Sequence, residues 1–224
     1  MSEGKAKVSV VKAVGIDEVV LPTGALDLWE RGDLHDLLHL PHDGTKVEIV
    51  NGTIVVTAAP YLGHDFITGQ IARAVLLAQP QSPSWEVLHN TGILCEEVLG
   101  GYIPDMVVVE PSLLYAAAAA NARRLAPDEI EMVVEVTSKR NAAHDRKPSG
   151  ELTATKWTGY ARMEIPYYLL IDRDPEVART TLYSIPDRST GAYLNEESWA
   201  FGETIHLPEP FGLSIPAELW RTWA

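Results

Sequence analysis

Three short runs in the middle of the chain are almost purely apolar: Ile103–Glu110 (IPDMVVVE), Glu131–Thr137 (EMVVEVT) and Pro166–Asp172 (PYYLLID). A strand that is apolar at successive rather than alternate positions has to be covered on both faces. The sheet built from these runs therefore needs layers above and below it. Segments with helical spacing lie between the strand-like ones, and that interleaving predicts an α/β fold with a mixed central sheet flanked by helices.

The other elements follow from local signals. Residues 1–22 alternate weakly and end at Pro22, which predicts an N-terminal arm ahead of a single domain over 23–224. Thr23 is placed to cap a helix over Ala25–Leu40, stopped by Pro41. Lys46–Thr57 reads as a hairpin turning at Asn51-Gly52. His64–Gln79 has helical spacing and ends at Pro80 and Pro83. Trp85–His89 and Ile93–Val98 read as strands, Gly100-Gly101 as a turn, 112–124 as a short helix or loop, and Leu152–Met163 as a helix. Residues 176–215 are strand-rich, with a short helix expected after Pro216.

Charged residues inside such apolar surroundings stand out. Asp105 follows Pro104 at the start of the first run, Glu135 lies within the second, and Lys156 lies early in the last predicted helix. A carboxylate in an apolar strand is costly unless it is paired or binds a cation. Asp105 and Glu135 sit on two apolar runs, 30 residues apart. Two carboxylates on neighbouring strands with a lysine nearby suit Mg²⁺, which takes one or two carboxylates plus water and phosphate oxygens. The same residues also fit a turn aspartate and a buried Glu135–Lys156 ion pair, and spacing does not separate the two readings.

The run Pro104-Asp105, Val134-Glu135-Val136-Thr137-Ser138, Asp145, Lys156-x-x-x-Tyr160 and Ile165-Pro166-x-Tyr168-Leu169-Leu170-Ile171-Asp172 resembles the Uma-type restriction-endonuclease-like family. That family is a branch of the PD-(D/E)XK nuclease superfamily. Glu48, the Asn51-Gly52 turn, Pro60 and His64 match its front end, and the resemblance spans roughly 23–215. It implies a restriction-endonuclease-like fold and a Mg²⁺- or Mn²⁺-dependent endonuclease acting on DNA. It implies Asp105 and Glu135 as catalytic metal ligands and Lys156 as the lysine assisting the attacking water. Glu48, His64, Thr137, Asp145, Lys147 and Tyr160 form a second tier. The superfamily's usual lysine position, two after the glutamate, holds Thr137 here. The stretch Asp145–Lys156 looks longer than usual, so Lys147 competes with Lys156, whose spacing to Tyr160 favours it.

Other signals weigh less. His35, His39 and His42 lie at i, i+4 and i+7, a spacing that can chelate zinc, but Pro41 interrupts it and a solvated helix face is the simpler reading. There is no Gly-x-Ser-x-Gly elbow and no phosphate-binding glycine fingerprint. The tryptophans and Cys95 read as packing residues, and a single cysteine allows no internal disulfide.

The formal net charge is −13, from 18 basic and 31 acidic residues, which argues against a broad basic face for nucleic acid. Basic residues nevertheless concentrate at Arg123-Arg124, Lys139-Arg140, Arg146-Lys147 and Lys156, placing a local cationic setting around the candidate site. No run approaches a membrane span, and a cytoplasmic protein, a homodimer by default, is expected. A nuclease-fold module without catalysis, binding a regulatory partner, is the alternative.

Overall fold

The computed structural model describes residues 9–13, 16–21, 24–78, 85–150 and 152–224, the first two stretches as backbone only. Strands β1 (Ser9–Ala13) and β2 (Ile16–Leu21) form an antiparallel hairpin within the stretch expected to be an arm. Thr23, the expected helix cap, lies outside the described residues. The one helix expected over Ala25–Leu40 is two, α1 (Ala25–Arg31) and α2 (Asp33–Leu37). Between them Gly32 takes φ 85°, a left-handed conformation that ends the first helix and that glycine adopts without a steric clash. Because α2 stops at Leu37, His35, His39 and His42 share no helix face.

β3 (Lys46–Val50) and β4 (Thr53–Thr57) are the expected hairpin, with Asn51 and Gly52 at φ 49° and 82° as a two-residue I′ turn requires. α3 (Leu62–Ala78) follows, and the prolines expected to end it, Pro80 and Pro83, lie outside the described residues. Next come β5 (Glu86–His89) and β6 (Ile93–Cys95). Gly100 and Gly101, expected as a turn, belong to strand β7 (Gly100–Tyr102). Their small size serves close approach: a Cβ on Gly101 would stand 2.5 Å from the Trp29 ring.

The three apolar runs become β8 (Met106–Val109), β9 (Met132–Val136) and β10 (Tyr167–Asp172). α4 (Pro111–Ala119) follows β8, and α5 (Ala142–Asp145) and α6 (Lys156–Arg162) precede β10. α6 begins later than the expected Leu152–Met163 helix because Thr155 caps it, its side chain accepting from the Thr158 N–H at 3.4 Å. β11 (Arg179–Asp187) and β12 (Ala192–Ala200) form a long hairpin, and β13 (Ile205–Leu207) pairs with β14 (Leu213–Ile215). After Pro216 the chain makes one turn, closed by Trp220 N–H on the Ala217 carbonyl, instead of the expected helix. Ala217 and Trp220 are both buried in the apolar core, so packing dictates the path there.

The strands form two six-stranded sheets, ordered β2-β1-β4-β3-β7-β6 and β12-β11-β10-β9-β8-β5. The second is the mixed central sheet: β9 and β10 run parallel, while β8–β9 and β10–β11 are antiparallel. One face of it packs Met106, Val108, Met132, Val134, Leu169 and Ile171 against Ile67, Ile71 and Val75 of α3. The other face contributes Val107, Val133, Tyr168 and Leu170 to a core shared with α6 and with Val50 and Val55 of the first sheet. α1 and α2 cover the far side of the first sheet through Leu28, Trp29 and Leu34. The structure is of restriction-endonuclease-like type, α/β with helices on either side of the sheets. Among the described residues no helix is long and apolar enough to cross a membrane.

Candidate active site

Strand parity decides which charged side chains meet. On β9, Val133 faces the core shared by the two sheets, and Glu135, two residues on, shares that face. Asp105 precedes β8 by one residue and has the parity of Val107. On β3, Val47 and Ile49 turn toward α1 and α2, so Lys46 and Glu48 point with Val50 into the shared core. The antiparallel β8–β9 register pairs Met106 with Val134, and one step further sets Asp105 opposite Glu135. Carboxylates from three distant segments therefore converge.

Lys156, the first residue of α6, ties them together. Its Nζ lies 2.9 Å from Glu135 Oε1, 2.9 Å from Glu48 Oε2 and 3.7 Å from Asp145 Oδ1. Tyr160, one helical turn later, donates its hydroxyl to Glu135 Oε1 at 2.6 Å. Asp105 is held separately. Its Oδ1 accepts from Lys46 Nζ at 2.8 Å, and its Oδ2 lies 2.8 Å from His64 Nε2 and accepts from the Val136 N–H at 2.9 Å. Ile103 N–H donates to Glu48 Oε1 at 2.8 Å. All four carboxyl groups and Lys156 are buried.

Two of the expected residues lie elsewhere. Thr137 Oγ1 accepts from Arg173 N–H at 2.9 Å and donates to Asp172 at 3.3 Å, which fastens the end of β9 to the end of β10. Lys147 pairs with Glu196 at the surface, beside the rings of Trp157 and Tyr183. Of the two competing lysines, Lys156 is the one that stands among the carboxylates. The cationic setting expected around the site is largely engaged in other contacts. Arg146 forks onto Asp172 at 2.6 and 2.8 Å and reaches Asp174 at 2.9 Å, while Lys139 donates to the Ala224 carbonyl. Lys46 is the residue that the sequence reading missed. Its signal was the alternation Lys46-x-Glu48 within a strand, which puts both side chains on one face.

Crowding and burial shift the acids in opposite directions. Burial pushes the Glu135 carboxyl well above the usual carboxylate range; Lys156 opposes this, and Asp105, Asp145 and Glu48 add to it. Burial likewise pushes Asp145 up to about 7, with Lys156 opposing and Asp105 and Glu48 reinforcing. Burial would raise Asp105 too, but Lys46 and His64 outweigh it and hold this carboxyl below its ordinary value. Burial alone would lower the Lys156 ammonium, yet the facing carboxylates, Glu135 foremost, raise it well above normal.

These residues suit a hard divalent cation. Four buried carboxyl groups face two ammonium groups and one imidazole, so the cluster offers an excess of hard oxygen donors. Asp105 Oδ1, which accepts only from Lys46, keeps a lone pair for a ligand.

The model of the Uma2 family, described as "Putative restriction endonuclease", matches residues 34–218. A solved structure described as "a putative nuclease belonging to DUF820 from Anabaena variabilis ATCC 29413" superimposes with a TM-score of 0.53 at 16% identity. The match covers 78% of this chain and 88% of that one. No curated protein sequence matches the chain.

Proposed function

This chain belongs to the Uma2 family, and from that premise we propose that it is a divalent-metal-dependent endonuclease that hydrolyses DNA phosphodiester bonds. The observation that carries the reading is the register that sets Asp105 opposite Glu135 at the ends of adjacent strands, with buried Lys156 paired to Glu135. Asp105 and Glu135 would hold Mg²⁺ or Mn²⁺, and the bound ion would supply Lewis-acid polarisation of the scissile phosphate and a more acidic water.

The protein's own groups do the rest. Lys156 keeps its proton among the carboxylates, so it donates a hydrogen bond to the attacking water and offsets negative charge as it develops on the phosphate. Tyr160 and Glu48 fix the partners of that ammonium, Tyr160 through Glu135 and Glu48 directly. His64 and Lys46 hold the Asp105 carboxylate in one orientation, as outer partners of metal ligands commonly do. Asp145 lies at the edge of the same charge cluster. A cytoplasmic location and a homodimer remain part of this reading.

Plasmid nicking tests it. Purified protein with Mg²⁺ or Mn²⁺ should nick supercoiled DNA, and Asp105→Ala and Glu135→Ala should each lower the rate roughly a thousandfold or more. Undiminished nicking in both variants would sink the mechanism. One observation favours the second reading, a non-catalytic module: Asp105 is already gripped by three donors. Under that reading titration calorimetry would show neither Mn²⁺ binding at this cluster nor affinity for DNA.

A further inference from the structure

A second group of ligating side chains gathers at α2 and the turn behind it, and nothing in the proposed nuclease chemistry uses it. His35 and Asp36 lie in α2. Two residues beyond its end, His39 takes φ 53° and reverses the chain ahead of Pro41. The reversal brings His42 back, so its ring stacks on His35 with centroids 4.5 Å apart and planes inclined by 25°. His42 Nε2 comes within 3.0 Å of Asp36 Oδ1.

One donor atom from each of His35, Asp36 and His42 lies within 4.8 Å of the other two, and no other such trio of His, Cys or acidic side chains occurs among the described residues. His35 adds an independent sign: its Nδ1 is buried and has no hydrogen-bond partner. A buried polar atom without a partner is uncommon and calls for an explanation. Two imidazoles and a carboxylate are a ligand set for zinc and its neighbours among the transition metals, whereas Mg²⁺ prefers oxygen alone.

We propose that His35, Asp36 and His42 form a binding site for a zinc-like transition-metal ion, with a fourth position open to solvent. The ion would tie α2 to the turn after it. His35 also lines a cavity of about 530 Å³ whose wall includes Lys46, the residue that holds Asp105. The site would therefore brace the wall of that cavity, and its existence does not depend on the nuclease reading.

Metal-stripped, tag-free wild-type protein kept in excess Mg²⁺, which occupies the oxygen-rich first cluster, isolates the site from that cluster. Titrated with Zn²⁺ against a chromogenic chelator, it should take up one equivalent at micromolar metal, and excess Mg²⁺ should not displace it. Co²⁺ in place of Zn²⁺ should give visible absorption bands from nitrogen and oxygen ligation. His42→Ala and Asp36→Asn change side chains that are 78% and 75% exposed, so the fold should survive them. Each should weaken Zn²⁺ binding by more than about tenfold and remove the Co²⁺ bands. His39→Asn, which removes the imidazole and tolerates the left-handed turn, should change neither. The proposal is overturned if no equivalent binds at micromolar Zn²⁺, if His42→Ala binds like its parent, or if His39→Asn is as damaging as His42→Ala.

Discussion

The two faces of the central sheet are built from the same three strands yet do opposite things. Toward α3, β8, β9 and β10 present Met106, Val108, Met132, Val134, Val136, Leu169 and Ile171, with Tyr167 at the edge, a surface with no charge. Toward α6 and the first sheet, the intervening positions carry Val107, Val133 and Leu170 interrupted by Asp105 and Glu135. The uncharged face is held by area and close packing. The other face holds buried like charges that repel one another, an arrangement more often kept for function than for stability. Mutations should therefore sort by face: stability without chemistry on one, chemistry coupled to stability on the other.

The largest effect on folding is expected at Lys156. Lys156→Met leaves Glu135 and Glu48 buried without their cation and should cost about 3–5 kcal/mol by urea denaturation, with nicking lost as well. Met106→Ala, on the uncharged face, should cost a comparable or slightly smaller amount, about 2–5 kcal/mol. Its rate per folded molecule should match the parent, and a specific loss of rate would break the division between the faces. Tyr160→Phe removes one hydroxyl donated to Glu135 and should cost about 1.5–3 kcal/mol, read from the denaturation midpoint.

A pH dependence is expected on the charged face as well. The Asp145 carboxyl is pushed up to about 7 in the folded chain from an ordinary value of 3.8, so the folded state holds its proton more tightly than the unfolded state. That group's contribution to stability is full below pH 4 and is lost as pH rises toward 7. Asp145→Asn should raise the melting temperature at pH 8 and leave it nearly unchanged at pH 4. A variant that melts lower at pH 8 would show Asp145 to be an ion-pair anchor for Lys156 instead. Asp105, held low by Lys46 and His64, works the other way, and its contribution is lost only in strong acid.

Much of the fold was legible because its signals are local. The Asn51-Gly52 turn, the three apolar strands and the helix at Leu62–Ala78 each follow from a few adjacent residues. The readings that failed did so for two reasons, one a distant partner and the other a local glycine. Gly100 and Gly101 look like a turn until Trp29, from another part of the chain, is seen pressed against their strand. The helix expected through Leu40 broke at Gly32, and the histidine spacing that suggested a shared face lost its meaning with it.

At the candidate site the same division holds. By itself the sequence determined that charged residues lie in apolar strands, because strand periodicity and the cost of burying a carboxylate are properties of short segments. Only the tertiary structure decided which charges meet: Lys46 holds Asp105, Lys156 holds Glu135 and Glu48, and Lys147 and Thr137 are drawn elsewhere. The reason is that an ion pair acts over a few ångströms of space, and it is the pairing of β8 with β9 and the packing of α6 that set those distances, not the number of residues between the partners.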